Sequence, residues 1–453
     1  MPLPTDVRVA EVETRSARTS FRTPLKFGGV PVTHATIVTA RVRVDLPDGR
    51  SAWGSGSMPL GNVWSFPSKK VPVAQSAQAM EVLAERIAKR IPELGDRAHP
   101  VELGHRWEAE WFRLADGVTR DLSLGDPIPR LCALVCASPF DAALHDAYGR
   151  LHGRHVWTAY GPEWLEHDLA RYLDDRFKGE RLATYVLPKP KPSLPLYHLV
   201  GALDALTDAD VKERLSDGLP NTLGEWILKD QLTHLKIKLN GNDASWDVDR
   251  VVAIDRVATA TAPGRGFTFS LDFNEQCPNV DYLLDVLRRV KEKSPAAFQR
   301  TAYVEQPTAR DLKAHPENKM HRAAELKPVV IDESLLDYES LLLAREQGYT
   351  GAALKSCKGQ GQSILMAAAA QKFSMFLCVQ DLTCPGQSFL QSAGLAAHIG
   401  PVTAIEGNAR QYCPGANQDW AARYPGAFTI RGGRIETGIL SEVGIGHSPP
   451  EGA

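Results

Sequence analysis

Short apolar segments alternate with stretches of helical periodicity from residue 194 to residue 406, and this alternation constrains the fold more than any other feature of the sequence. Seven charged residues stand at or beside the ends of these segments. Successive ones are 23 to 34 positions apart, which leaves room for one crossover helix and its loops. The eight predicted strands are residues 194–199, 235–239, 267–272, 302–305, 329–332, 352–355, 375–381 and 402–406.

Eight parallel strands joined by crossover helices are predicted to close into a (β/α)8 barrel, an α/β fold of the TIM type. In such barrels the side chains that perform chemistry lie at the C-terminal ends of the strands. We therefore expect one rim of the barrel to carry the functional site. The charged residues at those ends are Lys238, Asp272, Glu305, Asp332, Lys355, Asp381 and Glu406.

The chain before the barrel has a different pattern. Residues 36–46 read as a strand followed by a hairpin turn at Asp48-Gly49, whereas residues 75–91 and 141–151 have helical apolar spacing, so an α+β domain is expected. The prolines of residues 187–195 disfavour a helix or a central strand, and we place the domain boundary there. A chain of 453 residues exceeds the roughly 250–300 that one core sustains, which also predicts two domains.

Charge and composition exclude several functions. Lys and Arg number 52 against 54 Asp and Glu, so neither nucleic acid nor an anionic membrane is an expected partner. The longest apolar stretches, such as residues 364–370, are far shorter than the ~20 residues of a membrane span. The first 20 residues lack the apolar core of a signal peptide, and the odd number of cysteines, seven, favours reduced thiols. We expect a cytoplasmic protein.

Three consecutive predicted strands end in carboxylates, at Asp272, Glu305 and Asp332. In a closed barrel these groups become neighbours on one rim, where they repel one another unless a cation joins them. Ligation by oxygen alone favours Mg²⁺ over zinc, which prefers nitrogen and sulfur. Glu333 follows Asp332, and because successive side chains of a strand point to opposite faces, only one of these two can face the interior.

Three lysines accompany the carboxylates. Lys236 and Lys238 are two residues apart, so they share one face of their strand. Two buried ammonium groups repel each other and burial disfavours the charged form, so the pKa of the outer lysine should fall toward the range that suits a base. Lys355 ends the strand four places further on, which is the opposite side of an eight-stranded barrel. A substrate held between Lys238 and Lys355 can be approached from both faces.

The strand-end residues belong to five short motifs, which are Lys236-Ile-Lys238, Asp272-Phe-Asn274, Glu305-Gln-Pro307, Asp332-Glu-Ser334 and Leu354-Lys355-x-x-Lys358-Gly359. Taken together, these motifs resemble the enolase superfamily, in the muconate-lactonizing-enzyme subgroup of the mandelate racemase/muconate lactonizing enzyme family. The resemblance covers nearly the whole chain. It implies that residues 1–150 form a capping domain completed by residues 425–453, that 151–189 are an insertion and linker, and that 190–424 form the catalytic barrel.

The resemblance also implies a role for each residue, with one Mg²⁺ per active site and Asp332 rather than Glu333 as its third ligand. For Asp381, a structural hydrogen bond is the alternative to a substrate contact. Dipeptide epimerases of this subgroup carry Asp-x-Asp at strand eight, where this chain has Ala404-Ile-Glu406, which argues against a dipeptide substrate. The implied roles are Mg²⁺ ligands for Asp272, Glu305 and Asp332, an acid/base pair in Lys238 and Lys355, an electrostatic helper in Lys236, and substrate contacts by Asn274, Asp381 and Glu406.

The implied activity is removal of the proton α to a substrate carboxylate, giving a metal-stabilised enolate. Return of the proton gives a racemase or epimerase, and collapse of the enolate gives a cycloisomerase. Loss of a β-group gives the alternative, a dehydratase or lyase such as an o-succinylbenzoate-synthase-like enzyme or an acid-sugar dehydratase. A non-catalytic metal-binding barrel is the non-enzyme alternative. The expected partner is a small carboxylate, and the expected assembly is a homo-oligomer.

Four segments bear on substrate choice. Residues 23–30 and 55–66 of the capping domain are the predicted specificity loops, because the barrel rim supplies chemistry and another part must enclose the rest of the substrate. Residues 152–183 and 308–322 are longer than expected, and each is predicted to reshape the pocket or form an oligomer contact.

Overall fold

The computed structural model describes residues 3–27 and 29–450 of the chain, and within them an antiparallel sheet with helices lies over the C-terminal rim of a parallel barrel. Residues 1–2 of the predicted capping domain, residue 28 of the predicted specificity loop and residues 451–453 of the predicted C-terminal return lie outside the described residues.

Four antiparallel strands form the sheet of the cap, the name used here for residues 7–151. They are β1 (Val7–Phe27), β2 (Val30–Asp45), β3 (Ser51–Pro59) and β4 (Arg97–Ala98), in the order β3-β2-β1-β4. The predicted strand at 36–46 is confirmed as part of β2. The predicted hairpin turn to β3 is also confirmed, and Gly49 has a φ of 88°, a conformation that favours glycine.

The helices of the cap are α1 (Asn62–Ser65), α2 (Val73–Leu94), α3 (Pro100–Asp121) and α4 (Arg130–Leu151). The predicted helix at 75–91 lies within α2, whereas α4 begins well before the predicted residue 141. Helix α4 lies directly on β3, because Gly54 and Gly56 let the two backbones approach. A Cβ atom on Gly54 would be 2.1 Å from the Ala147 nitrogen, and one on Gly56 would be 2.2 Å from the Pro139 carbonyl oxygen.

Eight parallel strands form the barrel, and β12 pairs with β5 to close it. All eight predicted strands are confirmed in order. The last two are shorter than predicted, because β11 stops at Val379 and β12 begins only at Ile405. The strands are β5 (Ser193–Val200), β6 (His234–Lys238), β7 (Thr268–Asp272), β8 (Thr301–Glu305), β9 (Val329–Ile331), β10 (Gly351–Leu354), β11 (Phe376–Val379) and β12 (Ile405–Glu406).

Helices join the barrel strands and continue beyond the last one. Several of those between strands begin at a residue whose side chain accepts a hydrogen bond from the first turn, as Thr222, Asp243, Asn279 and Asp337 do. The helices are α5 (Leu223–Asp230), α6 (Ala244–Thr261), α7 (Val280–Lys293), α8 (Pro295–Arg300), α9 (His321–Ala324), α10 (Tyr338–Glu346), α11 (Gln360–Lys372), α12 (Gln387–His398), α13 (Ala409–Tyr412), α14 (Gln418–Arg423) and α15 (Pro425–Phe428).

One layer of the barrel interior is apolar and supports a polar layer above it. Six strands each supply one residue to the apolar layer. In five of them, the residue two positions after that apolar residue is polar. Because side chains alternate along a strand, these polar residues also point inward, nearer the C-terminal rim. The apolar layer is Tyr197, Tyr303, Val330, Ala353, Cys378 and Ala404, and the polar residues above it are Glu305, Asp332, Lys355, Gln380 and Glu406.

The C-terminal segment runs along the barrel and then reaches the cap. Strand β13 (Arg434–Glu436) pairs antiparallel with β5. Beyond it, the Ile445 nitrogen donates to Asp146 Oδ1 at 3.0 Å, and Arg150 Nη2 donates to the His447 carbonyl at 2.9 Å. The segment therefore ties the barrel to α4.

The long segment after α4 packs on the outer helices. Tyr338 Oη donates to Asp174 Oδ2 at 2.8 Å, and Arg171 Nη2 donates to Glu102 Oε1 at 3.1 Å. These contacts place it against α3 and α10. No helix within residues 3–27 and 29–450 is both long and apolar enough to span a bilayer.

Candidate active site

The rim of the barrel under the cap brings the predicted site residues together. Seven strands, β6 to β12, each carry a polar side chain there, on the last residue of the strand or just beyond it. The three predicted metal ligands, three lysines and three substrate contacts are all at most 8% exposed. Burial of so many charges is tolerated only when they pair with one another or with a ligand.

Lys236 lies at the centre of this cluster. Its Nζ atom is 3.0 Å from Asp272 Oδ2, 2.8 Å from Glu305 Oε2 and 2.9 Å from Glu406 Oε2, and it also donates to Gln380 Oε1. Burial alone would lower the pKa of Lys236, but the three carboxylates hold it well above its ordinary value. Lys236 is therefore a fixed positive charge.

Lys238 and Lys355 lie nearer the rim, on opposite sides of the barrel. Strands β6 and β10 are four places apart in the closed sheet of eight. Lys238 Nζ is 2.5 Å from Asp272 Oδ2 and donates to Asn274 Oδ1 at 2.8 Å, while Lys355 Nζ is 2.7 Å from Asp332 Oδ2. Burial alone would lower the pKa of Lys355, but Asp332 holds it above its usual range.

Asp332 and Glu333 point in different directions, as strand alternation predicts. Asp332 turns toward the lysines. Lys358 Nζ donates to the Asp332 carbonyl oxygen at 2.5 Å and lies 3.3 Å from its Oδ1 atom. Glu333 turns toward the cap, where its Oε1 atom accepts hydrogen bonds from Trp64 Nε1 at 2.9 Å and Asn274 Nδ2 at 3.3 Å. Sequence reasoning gave no role to Lys358, although it belongs to the motif that contains Lys355.

Two aromatic side chains of the cap form the roof of the site. The Trp64 ring centroid is 4.3 Å from Lys355 Nζ, and the Phe27 ring centroid is 5.3 Å from Lys238 Nζ, distances at which a ring stabilises an ammonium group. Arg310, from the predicted long loop 308–322, donates to the Trp64 carbonyl at 3.0 Å. Both predicted specificity loops and this long loop thus contribute to the roof.

On strand β11 the inward-facing residue is Gln380. Its Nε2 atom donates to Tyr303 Oη at 2.9 Å. Asp381, the predicted residue, has its Oδ1 atom bonded to the Leu382 and Cys384 nitrogens at 2.9 Å and its Oδ2 atom bonded to the Asn408 nitrogen. These bonds are the structural role that the sequence offered as the alternative, and its contact with a substrate stays a prediction. Alternation from the interior Cys378 would have identified Gln380.

Carboxylates outnumber lysines in the buried cluster. Six carboxylates face four ammonium groups, which is a formal excess of two negative charges when all of them are ionised. Burial and the nearby Asp272 hold the pKa of Glu305 well above its ordinary value, and burial and Asp332 raise the pKa of Glu333 to about 7. The carboxylates are Asp272, Glu305, Asp332, Glu333, Asp381 and Glu406, and the lysines are Lys236, Lys238, Lys355 and Lys358.

The donor set has the chemistry of a site for a hard divalent cation. Asp272, Glu305 and Asp332 supply oxygen only, and the formal excess of two carboxylates over lysines matches the charge of one Mg²⁺. In the described part of the chain, no three His, Cys, Asp or Glu side chains already surround one point as metal ligands. The lysines hold these carboxylates as ion pairs.

Comparison with solved structures identifies the fold. A mandelate racemase/muconate lactonizing protein from Herpetosiphon aurantiacus is similar with a TM-score of 0.61 and 18% identity, over 99% of this chain and 100% of that one. Muconate lactonizing enzyme from Pseudomonas fluorescens, complexed with muconolactone, is similar with a TM-score of 0.60 and 17% identity, over 98% and 97%. A racemase from Streptomyces coelicolor with bound magnesium has a TM-score of 0.60 and 16% identity, over 97% of both chains.

No protein-family model matches the sequence, and no curated protein matches it. The likeness to solved structures extends over both the cap and the barrel at low identity. It confirms the predicted fold, a (β/α)8 barrel with an N-terminal capping domain, and this is the fold of mandelate racemase and muconate lactonizing proteins.

Proposed function

We propose that this chain is a Mg²⁺-dependent isomerase of the enolase superfamily, a racemase, epimerase or cycloisomerase that acts at the carbon α to a substrate carboxylate. One observation carries the proposal: Lys238 and Lys355 stand on opposite sides of the barrel, each beside a carboxylate suited to a metal. The similar structures named above support it, since they include a racemase with bound magnesium and a lactonizing enzyme.

Asp272, Glu305 and Asp332 would hold the Mg²⁺, which when bound supplies positive charge for the substrate's carboxylate oxygens. If Asp332 held the metal, its charge would hold the Lys355 proton less strongly, and the pKa of Lys355 would fall toward the range of a base. Asp272 Oδ2 likewise lies 2.5 Å from Lys238 Nζ, so the second lysine also stands beside a residue that would hold the metal.

The two lysines then divide the proton transfers. One removes the proton from its side of the α-carbon, and the other delivers a proton to the opposite face, which inverts the centre. In a cycloisomerase a single lysine exchanges the proton while the enolate forms or opens a ring. Lys236 moves no proton in this scheme, because Asp272, Glu305 and Glu406 keep it charged.

The roof supports a role for the cap in substrate choice. Trp64 and Phe27 cover the two lysines, so the part of the substrate beyond the α-carbon would lie against aromatic rings. Such a surface favours an apolar substituent, and replacing either ring changes the shape of the space above the lysine that it covers.

The test is a library of cyclic and acyclic carboxylates incubated with the protein and Mg²⁺ in D2O, read by mass spectrometry for deuterium uptake or a new product. We expect the protein to exchange the α-proton of at least one compound. Lys238→Ala should lose exchange of one enantiomer and Lys355→Ala that of the other. Full activity in both variants would overturn the mechanism, and a wild-type protein that exchanges none of the library would count against the function.

A further inference from the structure

Helix α11, which follows the strand of Lys355, begins without a capping side chain of its own. The residue at its N-cap position is Gly359, with a φ of 105°, and the backbone nitrogens of Gln360 and Gly361 come next. The cap domain supplies the hydrogen-bond acceptor that a glycine side chain lacks. Asp141 Oδ2, on α4, accepts hydrogen bonds from the Gln360 nitrogen at 2.5 Å and from the Gly361 nitrogen at 3.1 Å.

We propose that Asp141 is a positioning residue for Lys355: a carboxylate of the cap acts as the N-cap of a barrel helix and thereby holds the segment that carries the lysine. The inference rests on the proposed function, which makes Lys355 an acid/base group. Asp141 contacts the helix backbone rather than any reacting atom, so it acts only through the segment that it holds.

The path from Asp141 to Lys355 is a short hydrogen-bonded unit. The Lys358 nitrogen donates to the Lys355 carbonyl at 3.0 Å, and the Gly359 nitrogen donates to the Ser356 carbonyl at 3.0 Å. Ser363 Oγ, from the first turn of α11, donates back to the Lys355 carbonyl at 2.8 Å. A displacement of the start of α11 is therefore transmitted to the backbone of Lys355.

Two glycines lie close to the Asp141 carboxylate. A Cβ atom on Gly104 would be 3.3 Å from its Oδ1 atom, and one on Gly359 would be 3.3 Å from its Oδ2 atom. His145 Nε2 is 3.7 Å from Oδ1. Two backbone N–H groups at the positive end of a helix are the partners that compensate a carboxylate removed from water. The contact therefore joins the cap and the barrel at one defined point.

Hydrogen–deuterium exchange of backbone amides tests the first half of the proposal on the full chain with Mg²⁺. In Asp141→Ala, amide exchange in residues 355–363 should rise about tenfold, the effect of losing a charged cap. Asp141→Asn keeps one acceptor oxygen and should show a smaller rise. Thr222→Ala removes the cap of α5 and should leave residues 355–363 unchanged. Unchanged amide exchange in both Asp141 variants would overturn the proposal.

Enantiomer-specific exchange tests the second half. With a compound that the wild type exchanges, Asp141→Ala should lose most deuterium uptake into the enantiomer that depends on Lys355, whereas uptake into the one that depends on Lys238 stays within about twofold. Asp141→Asn should recover part of the loss. An equal fall in deuterium uptake for both enantiomers would overturn the role of Asp141 in positioning Lys355. If the wild type exchanges no carboxylate, the proposed function fails, while the amide measurement still decides whether Asp141 caps α11.

Discussion

Replacing Lys236 by methionine tests whether the positive charges of Lys236 and of a bound cation together neutralise the carboxylates at the centre of the site. Methionine keeps the length and apolar stem of the side chain but removes its charge. In this protein the Lys236 ammonium group lies within 3.0 Å of oxygens of Asp272, Glu305 and Glu406, all of them buried. The substitution therefore leaves these three carboxylates without their common partner.

The expected magnitude follows from the cost of removing one member of a buried ion pair, roughly 3–5 kcal/mol. In metal-free buffer the Lys236→Met protein should lose about that much stability. Mg²⁺ should restore part of it, because loss of the ammonium group raises the formal excess of negative charge from two to three, so the variant should bind the cation more tightly. A fivefold gain in Mg²⁺ affinity corresponds to about 1 kcal/mol of extra stabilisation at saturation.

Urea-induced unfolding, followed by circular dichroism in EDTA and in saturating Mg²⁺, measures both effects. Lys191→Met is the matched control, because among the described residues Lys191 Nζ donates only to carbonyl oxygens, of Ala396 at 3.3 Å and of Ile399 and Val402 at 2.5 Å. Its loss of stability should be the same in the two buffers. The reasoning is refuted if Lys236→Met is destabilised equally in both buffers or by less than about 1 kcal/mol in EDTA.

Three further predictions concern the ligands, the roof and the contact between cap and barrel. Asp272→Asn and Glu305→Gln should abolish Mg²⁺ binding in calorimetry without unfolding the protein; unchanged affinity in both would remove these residues from the metal site. Trp64→Ala removes the ring 4.3 Å from Lys355 Nζ, so it should change relative kcat/KM between substrates far more than Mg²⁺ affinity, and equal effects on every substrate would count against the roof as selector. Burial raises the pKa of Asp141 from 3.8 to about 6, so the folded state binds this proton more tightly than the unfolded state does. The contribution of Asp141 to stability should therefore fall by about 3 kcal/mol as the pH rises from 4 to 6. Asp141→Asn should lack that loss, and parallel pH profiles of the two unfolding free energies would contradict it.

The sequence by itself determined the barrel, the order of its strands and the shared face of its paired lysines. These follow from local periodicity, because a strand places every second side chain on one face and a crossover needs a set number of residues. Lys236 and Lys238 both reach Asp272 Oδ2, as their spacing predicts. The same rule, applied from Cys378, selects Gln380 rather than Asp381 as the inward residue. Asp381 was predicted instead because it is the charged residue of the pair.

Only the tertiary structure decided which distant segments complete the site. Trp64 and Glu333 are 269 positions apart in the chain, and Asp141 and Gln360 are 219 apart. Periodicity states which face of an element is buried but not which other element covers that face, because the covering surface is chosen by packing across the whole molecule. The choice of Trp64 and Phe27 from the two predicted cap loops, and the cap-supplied start of α11, are consequences of how the cap sits on the barrel, and local sequence carries no signal for either.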